Sequence, residues 1–342
     1  MTLRETVLVL GAGASAPYGF PTGPALVDDI IARFANQVER MIRRGTLDIR
    51  YDQRAKSFVE RLRTADAESI DAFLEHNPQF QEIGKLAIAS HILRAESGGD
   101  FFDRNPEVRA RQWYRYLWKI LAKKGIDGFP SWPLKIVTFN YDRSLEQYFH
   151  TTLQSMFGVD DEAAGKCIAR LPICHVHGQL GRLPWQSGDG LDVPYGMQLD
   201  GCSKEMMDAA MNGISIIHED LQKRGSIFAA RQWLSDAQVI GFLGFGYHPV
   251  NMARLVKELD MPSLSVLTGS CLGFTSAEKA DLARQMRSLM AGPDAKLDDA
   301  GPDNYSFTMP VGQGGSKLVR VRLVDHENLR FLRESPFLFR DV

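Results

Sequence analysis

Residues 7 to 16 read VLVLGAGASA, and the fold follows from how that stretch divides. Val7 to Leu10 is short, wholly apolar and rich in β-branched residues, the pattern of a strand buried on both faces of a parallel sheet. Gly11-Ala-Gly-Ala-Ser-Ala16 then fits G-x-G-x-x-[G/A] directly after that strand, an arrangement that lets backbone amides approach a pyrophosphate at a helix N-terminus. A tight strand-to-helix turn without a ligand carries the same signature, so the motif alone leaves both readings open. The dehydrogenase version also wants an acidic residue on a second strand about 20 positions on. Asp28 and Asp29 fall inside a helical pattern instead, which disfavours hydride transfer. The same stretch imitates a signal-peptide core, but its apolar run before Gly11 is short and flanked by Glu5. A soluble, cytoplasmic chain that does not span a membrane is expected.

Beyond the glycine turn the pattern changes. Leu26, Ile30, Ile31, Phe34, Val38, Met41 and Ile42 recur at three and four residues, with Pro24 suited to a first helical turn. Helical spacing continues to about residue 124, and the next good strand is Lys135 to Phe139. A helical insertion module over 25–131 fits that gap, leaving 1–24 and 132–342 as the core. After Pro133, strands at Lys135 to Phe139, Ile173 to His177, Gln238 to Leu243 and Leu264 to Thr268 alternate with helices at Asp142 to Thr152, about 219 to 235, and Val250 to Leu259. Such alternation specifies an α/β, Rossmann-like fold with a mostly parallel sheet and helices on both faces. The Gly- and Pro-rich stretches 178–201 and 292–316 read as mobile loops, and a strand from Lys317 to Val324 with a short helix after Asp325 closes the chain.

Composition narrows the function. Of 342 residues 44% are apolar, and 40 Lys and Arg face 42 Asp and Glu for a net charge of −2, so the chain can bury a full core and wholesale disorder is excluded. Seven basic residues cluster between Arg104 and Lys124. There Arg111, Arg115, Lys119 and Lys123 stand opposite Trp113, Leu117, Ile120 and Leu121, which reads as an amphipathic helix with a solvated basic face. With the overall charge near zero, nucleic acid is not expected as a direct ligand. Cys167, Cys174, Cys202 and Cys271 form no CxxC pair and no disulfide framework.

Three further strand ends carry candidate chemistry. Thr138-Phe-Asn-Tyr-Asp142 puts Asn140 and Asp142 at the carboxyl end of a parallel strand, where open α/β sheets bind ligands; a turn or helix cap would use the same residues. In His175-Val-His177-Gly178, strand alternation places both histidines on one face. A metal pair lacks a third ligand at a telling spacing, and a base of near-neutral pKa is the alternative. Gly244-Phe-Gly-Tyr-His-Pro249 is a second glycine turn leading into a helix.

GAGAS with Gly19-Phe-Pro21, then TFNYD, HVHG and LGFGY, resembles in order the sirtuin superfamily, and more narrowly the bacterial sirtuin-like NAD-hydrolysing domains of antiphage defence. The likeness covers about residues 5 to 270 and is weak across the insertion. It implies that Gly11, Ala12, Gly13 and Ser15 lie against the NAD phosphates and adjoining ribose. It implies further that Asn140 holds the nicotinamide ribose or the attacking water, that Asp142 contacts the carboxamide and that His177 is the base or ribose-hydroxyl partner. Gly244, Phe245 and Gly246 would line the adenosine side. Deacylases of the superfamily carry a four-cysteine zinc module after the histidine; here only Cys202 and Cys271 follow His177, and Phe139 replaces the glutamine before the asparagine. No zinc module and no metal are therefore expected, and water becomes the natural acceptor. The resemblance implies an NAD glycohydrolase giving nicotinamide and ADP-ribose. Because unrestrained NAD hydrolysis would be toxic to its own cell, restraint until triggered is expected, by homo-oligomerisation, by a partner chain such as a HerA-like ATPase, or by occlusion from the loops at 178–201 and 292–316. An NAD- or ADP-ribose-binding sensor without turnover, a deacylase and an interaction subunit remain open at this point.

Overall fold

The computed structural model describes residues 4–99, 101–216, 225–311 and 315–339. Its strands are β1 (Thr6–Leu10), β2 (Leu134–Thr138), β3 (Ile173–His175), β4 (Val239–Leu243), β5 (Val266–Ser270), β6 (Leu297–Asp299), β7 (Asn304–Val311) and β8 (Gly315–Val324). They form one sheet in the order β3-β2-β1-β4-β5-β8-β7-β6. From β3 through β8 the neighbours run parallel, while β7 and β6 extend the edge antiparallel. The chain runs outward from β1 to β2 and β3, then returns past β1 to β4, so the strand order reverses between β1 and β4. Ligands of open α/β sheets bind at such a switch point, outside the carboxyl ends of the strands.

Every residue of β1 is buried, and alternation divides the strand between two cores. Leu8 and Leu10 join Leu134 and Ile136 against the helical insertion, including Phe34, Phe58 and Leu86. Val7 and Val9 face the other way, toward the helices Ser226–Asp236, Pro249–Val256 and Ser276–Ala291. The insertion begins with helix Gly23–Arg43, whose stripe Leu26, Ile30, Phe34, Val38 and Met41 is buried, and continues through Arg50–Arg63, Ile70–His76, Gln81–Gly98 and Tyr114–Leu121. Among the described residues no helix is long and apolar enough to cross a membrane.

Four details differ from the sequence reading. The basic helix expected through residue 124 is interrupted: Pro106–Arg109 and Tyr114–Leu121 are separate, because the Tyr114 amide donates to the Tyr18 hydroxyl at 2.6 Å and the Trp113 indole to the Ala14 carbonyl at 2.8 Å. Strand β3 stops at His175, two residues before His177, so strand alternation does not relate the two histidines. The segment 292–316 is not simply a loop. It contains β6 and β7, with Tyr305, Phe307 and Met309 of β7 buried at a period of two. This hairpin lies three strand intervals from β4, about 14 Å at the usual strand spacing, and so does not border the switch point. Finally, the helix expected over about 219 to 235 is seen as Ser226–Asp236, and 219–224 lie outside the described residues.

Candidate functional site

Parallel register aligns the strand ends: Leu10 pairs with both Thr138 and Leu243, and Thr138 with His175. The loops that follow therefore emerge side by side. Between β1 and β4 they touch through backbone. The Gly11 amide donates to the Leu243 carbonyl at 3.0 Å and the Gly13 amide to the Gly244 carbonyl at 2.9 Å. A Cβ on Gly244, at φ +54°, would lie 2.1 Å from the Ala14 nitrogen, and one on Gly11 2.6 Å from the Gly244 oxygen. Only glycine permits this approach.

Residues outside the sequence motifs hold the junction. The Gly244 amide donates to Ser270 Oγ at 3.0 Å, Ser270 Oγ to Asn328 Oδ1 at 3.4 Å, and Asn328 Nδ2 to the Gly13 carbonyl at 2.9 Å. With the Gly13–Gly244 bond this closes a ring through the ends of β1, β4, β5 and the C-terminal helix Asn328–Glu334. Two of the motif glycine amides, those of Gly11 and Gly13, are thus committed to β4. The helix Ala12–Ser15, which Gly11 precedes and which contains Gly13, is a single turn, and Ala12, its first residue, has an amide without an intrahelical partner.

Asn140 is pinned from several sides. Its amide donates to Thr138 Oγ1 at 3.1 Å, and its side-chain Nδ2 donates to the Gly11 carbonyl at 3.0 Å and Ser15 Oγ at 2.9 Å. Those bonds use both hydrogens of the carboxamide and fix its orientation. Oδ1, buried, has no partner among the described residues. Asp142 is turned inward: Ser144 donates to it through both amide (3.1 Å) and hydroxyl, and Ser15 also hydrogen-bonds it. Because Ser144 Oγ gives its proton to Asp142, the Tyr114 hydroxyl, 2.6 Å away, donates to Ser144. Burial raises the Asp142 carboxyl above its ordinary value against those bonds. The structure makes Asp142 the support of Ser15, and hence of Asn140.

His177 is 2% exposed, with its ring edge-on to Phe139 at 5.3 Å between centroids. Its buried Nδ1 has no partner among the described residues. Burial pulls the imidazole below its ordinary pKa; Asp71 of the insertion opposes this and Arg254 reinforces it. Phe245 is buried against Phe139 at 5.1 Å, whereas Gly246 faces open space. Tyr247 takes a left-handed φ of +53° and donates its hydroxyl to the Ser270 carbonyl at 3.1 Å.

Other buried polar atoms without partners among the described residues, Ser215 Oγ, Asn251 Oδ1 and Arg254 Nη1, belong to the segments that follow His177 and Gly244. Ser215 is tied to His177 directly, its amide donating to the His177 carbonyl at 2.8 Å. Buried polar groups are normally satisfied, so Asn140 Oδ1 and His177 Nδ1, on adjoining loops, are candidates for contact with a ligand. None of Asp71, Ser215, Arg254, Ser270 or Asn328 was singled out from sequence. Ser270 had a usable signal, a polar residue at a parallel strand's carboxyl end, hidden because the strand reads as stopping at Thr268. The four cysteines are free and buried, and the described residues hold no group of three or more His, Cys, Asp and Glu able to bind a metal. No protein-family model matches the chain, and no curated protein does.

Proposed function

We propose that the chain is a sirtuin-like NAD glycohydrolase that cleaves the nicotinamide–ribose bond and passes the ADP-ribosyl group to water. One observation carries the reading. Asn140 Oδ1 and His177 Nδ1, from the loops that follow adjacent strands, are both buried and without partners among the described residues, beside a glycine junction at the switch point that suits a dinucleotide.

In this reading the C1′–N bond breaks with its electron pair going to the nicotinamide nitrogen, leaving an oxocarbenium-like ribose. Asn140 Oδ1 accepts a hydrogen bond from the attacking water or a ribose hydroxyl and orients it. Nδ1 of His177, kept neutral by burial, takes the water's proton as the C1′–O bond forms. The reaction balances as NAD and water to nicotinamide, ADP-ribose and a proton. The Ala12 amide and the loop through Ser15 would face the phosphates, and the open space at Gly246 would admit the adenosine side. A triggered NAD-depleting role in antiphage defence, with restraint by oligomerisation or a partner chain, belongs to the same proposal.

The test is incubation of the purified chain with NAD, alone and with the products of neighbouring genes, followed by analysis for nicotinamide and ADP-ribose. Products that vanish in Asn140→Ala and His177→Ala support hydrolysis. Tight ADP-ribose binding with NAD unconsumed in every condition replaces it with a sensor, and consumption only with an acylated peptide replaces it with a deacylase.

A further inference from the structure

The two histidines of His175-Val-His177 sit in opposite surroundings, and only His177 has so far been given a task. Both ring nitrogens of His175 face acceptors: Nδ1 lies 2.9 Å from the Asn140 carbonyl oxygen and Nε2 2.6 Å from Glu146 Oε1. A neutral imidazole has a single N–H and serves only one of them; an imidazolium serves both. Glu146, buried on helix Ser144–Phe157, supplies the counter-charge. Burial opposes the charged ring, yet Glu146 and the Asn140 carbonyl outweigh it and hold the His175 pKa above its ordinary value, with Asp142 acting in the same direction. Glu146 and Asp142 are the charged groups that bear on the ring.

We propose that His175, locked as an imidazolium by Glu146, is the positioning residue for Asn140. The kinetic consequence rests on the NAD-cleavage reading; the charge state and the bracket do not. Asn140 is held at its amide by Thr138, at its two side-chain hydrogens by Gly11 and Ser15, and at its carbonyl by His175. Oδ1 is the atom left over, and its aim is set by these restraints. The His175 bond is the charge-assisted one among them, and such bonds are shorter and stronger than neutral ones. A displacement of about 1 Å at a reacting group can cost about 10²-fold in rate.

Side-chain geometry supplies a discriminating test. Asparagine places an amide N–H near where histidine carries Nδ1–H, and glutamine places one near Nε2–H. His175→Asn therefore keeps the Asn140 contact and loses Glu146, His175→Gln does the reverse, and Glu146→Gln keeps an acceptor while removing the charge. In the full chain with ¹⁵N-labelled histidine, NMR should show both His175 nitrogens protonated at neutral pH, with deprotonation moved to lower pH in Glu146→Gln. A neutral ring with one N–H in the parent overturns the proposal. With NAD as substrate, His175→Gln should lose about 10²-fold in kcat at nearly unchanged KM, and His175→Asn distinctly less. Equal losses, or the reverse order, overturn it. In a parent that cleaves no NAD the hydrolase reading fails by itself. The bracket is then decided by the ring's protonation and by the Asn140 side-chain resonances, which should shift in His175→Gln and stay in place in His175→Asn.

Discussion

Gly244 and Gly246 stand two residues apart in one motif, and the structure gives their alanine variants opposite fates. At Gly244 a Cβ would lie 2.1 Å from the Ala14 nitrogen and 2.2 Å from the Gly13 carbonyl carbon, both backbone atoms that no rotamer change can move aside. Ordinary carbon contacts begin near 3.5 Å, so the β1 and β4 loops would have to part by roughly 1 Å or more. Overpacking of this kind costs about 1–3 kcal/mol. The left-handed φ of +54° adds its own penalty, about 1–2 kcal/mol for a residue with a Cβ. Gly244→Ala should therefore lose about 2–5 kcal/mol, enough to lower the melting temperature of a chain of this size by roughly 3 to 7 °C. Separating the loops also opens the ring through Ser270 and Asn328, so ADP-ribose binding should fall with stability. At Gly246 an added Cβ meets nothing within 4 Å, and stability should stay within about 0.5 kcal/mol of the parent. Thermal unfolding followed by circular dichroism, with ADP-ribose titration of each folded variant, reads both. A Gly244→Ala protein as stable as the parent, or a Gly246→Ala protein as damaged as Gly244→Ala, refutes the close-approach argument.

Other outcomes follow from the same geometry. His177→Ala should reduce NAD cleavage by about 10²–10⁴-fold, as expected for loss of a positioned base, with urea unfolding little changed. Asn140→Ala should silence cleavage and also cost about 1–3 kcal/mol, because the Gly11 carbonyl and Ser15 lose a buried donor; full activity in either variant would sink the assignment. Since burial holds the His177 pKa below its ordinary value, the ring stays a neutral base as pH falls through that value. The acid limb of kcat/KM should accordingly lie below the unperturbed 6.5, and a limb above it counts against His177. Arg143, fully buried and paired with Glu96 at 3.1 and 2.6 Å, should cost about 3–5 kcal/mol when replaced alone by Met. Converting Glu96 to an apolar residue as well should recover much of that loss, and a double variant no better than the single contradicts it. Asn328→Ala should leave the chain folded but weaken ADP-ribose binding, by freeing the Gly13 carbonyl from its clamp; unchanged affinity would separate the C-terminal helix from the site.

Much of the sheet was legible because a strand buried on both faces has nowhere to put a polar side chain. Val7 to Leu10 and Gln238 to Leu243 read as such strands, and a glycine turn is expected after each, but the close contact between the two turns is not. Asn140 was legible by position, as a polar residue just after a parallel strand's carboxyl end. What escaped was of two kinds. Short or interrupted elements escaped because the pattern they offer is too brief: β3 has only three residues, so His177 lies beyond it, and the Gly, Pro and Asp residues around β7 concealed the alternation of Tyr305, Phe307 and Met309. Long-range hydrogen bonds escaped because they leave no local trace. Nothing near Asn328 tells that its amide will reach the Gly13 carbonyl across 315 positions of sequence.

The same distinction bears on the insertion. Its helical periodicity marks residues 25–131 off from the α/β core, yet the packing does not respect that division. Helix Gly23–Arg43 starts on the core side of it, and Leu8, Leu10 and Ile136 share one apolar cluster with Phe34, Phe58 and Leu86. More telling are the polar ties, since each satisfies a buried group that neither part could satisfy alone. Trp113 caps the Ala14 carbonyl, Tyr114 reaches Ser144, Tyr141 donates to Asp71 at 2.6 Å, and Glu96 neutralises Arg143, which also donates to the Val193 carbonyl at 2.5 Å. All four core-side partners, Ala14, Ser144, Tyr141 and Arg143, are within two residues of Ser15, Asn140 or Asp142. Removing the insertion would thus strip donors and acceptors from the loops that aim the candidate catalytic groups. The helices are better understood as the wall of the site than as an appendage to it.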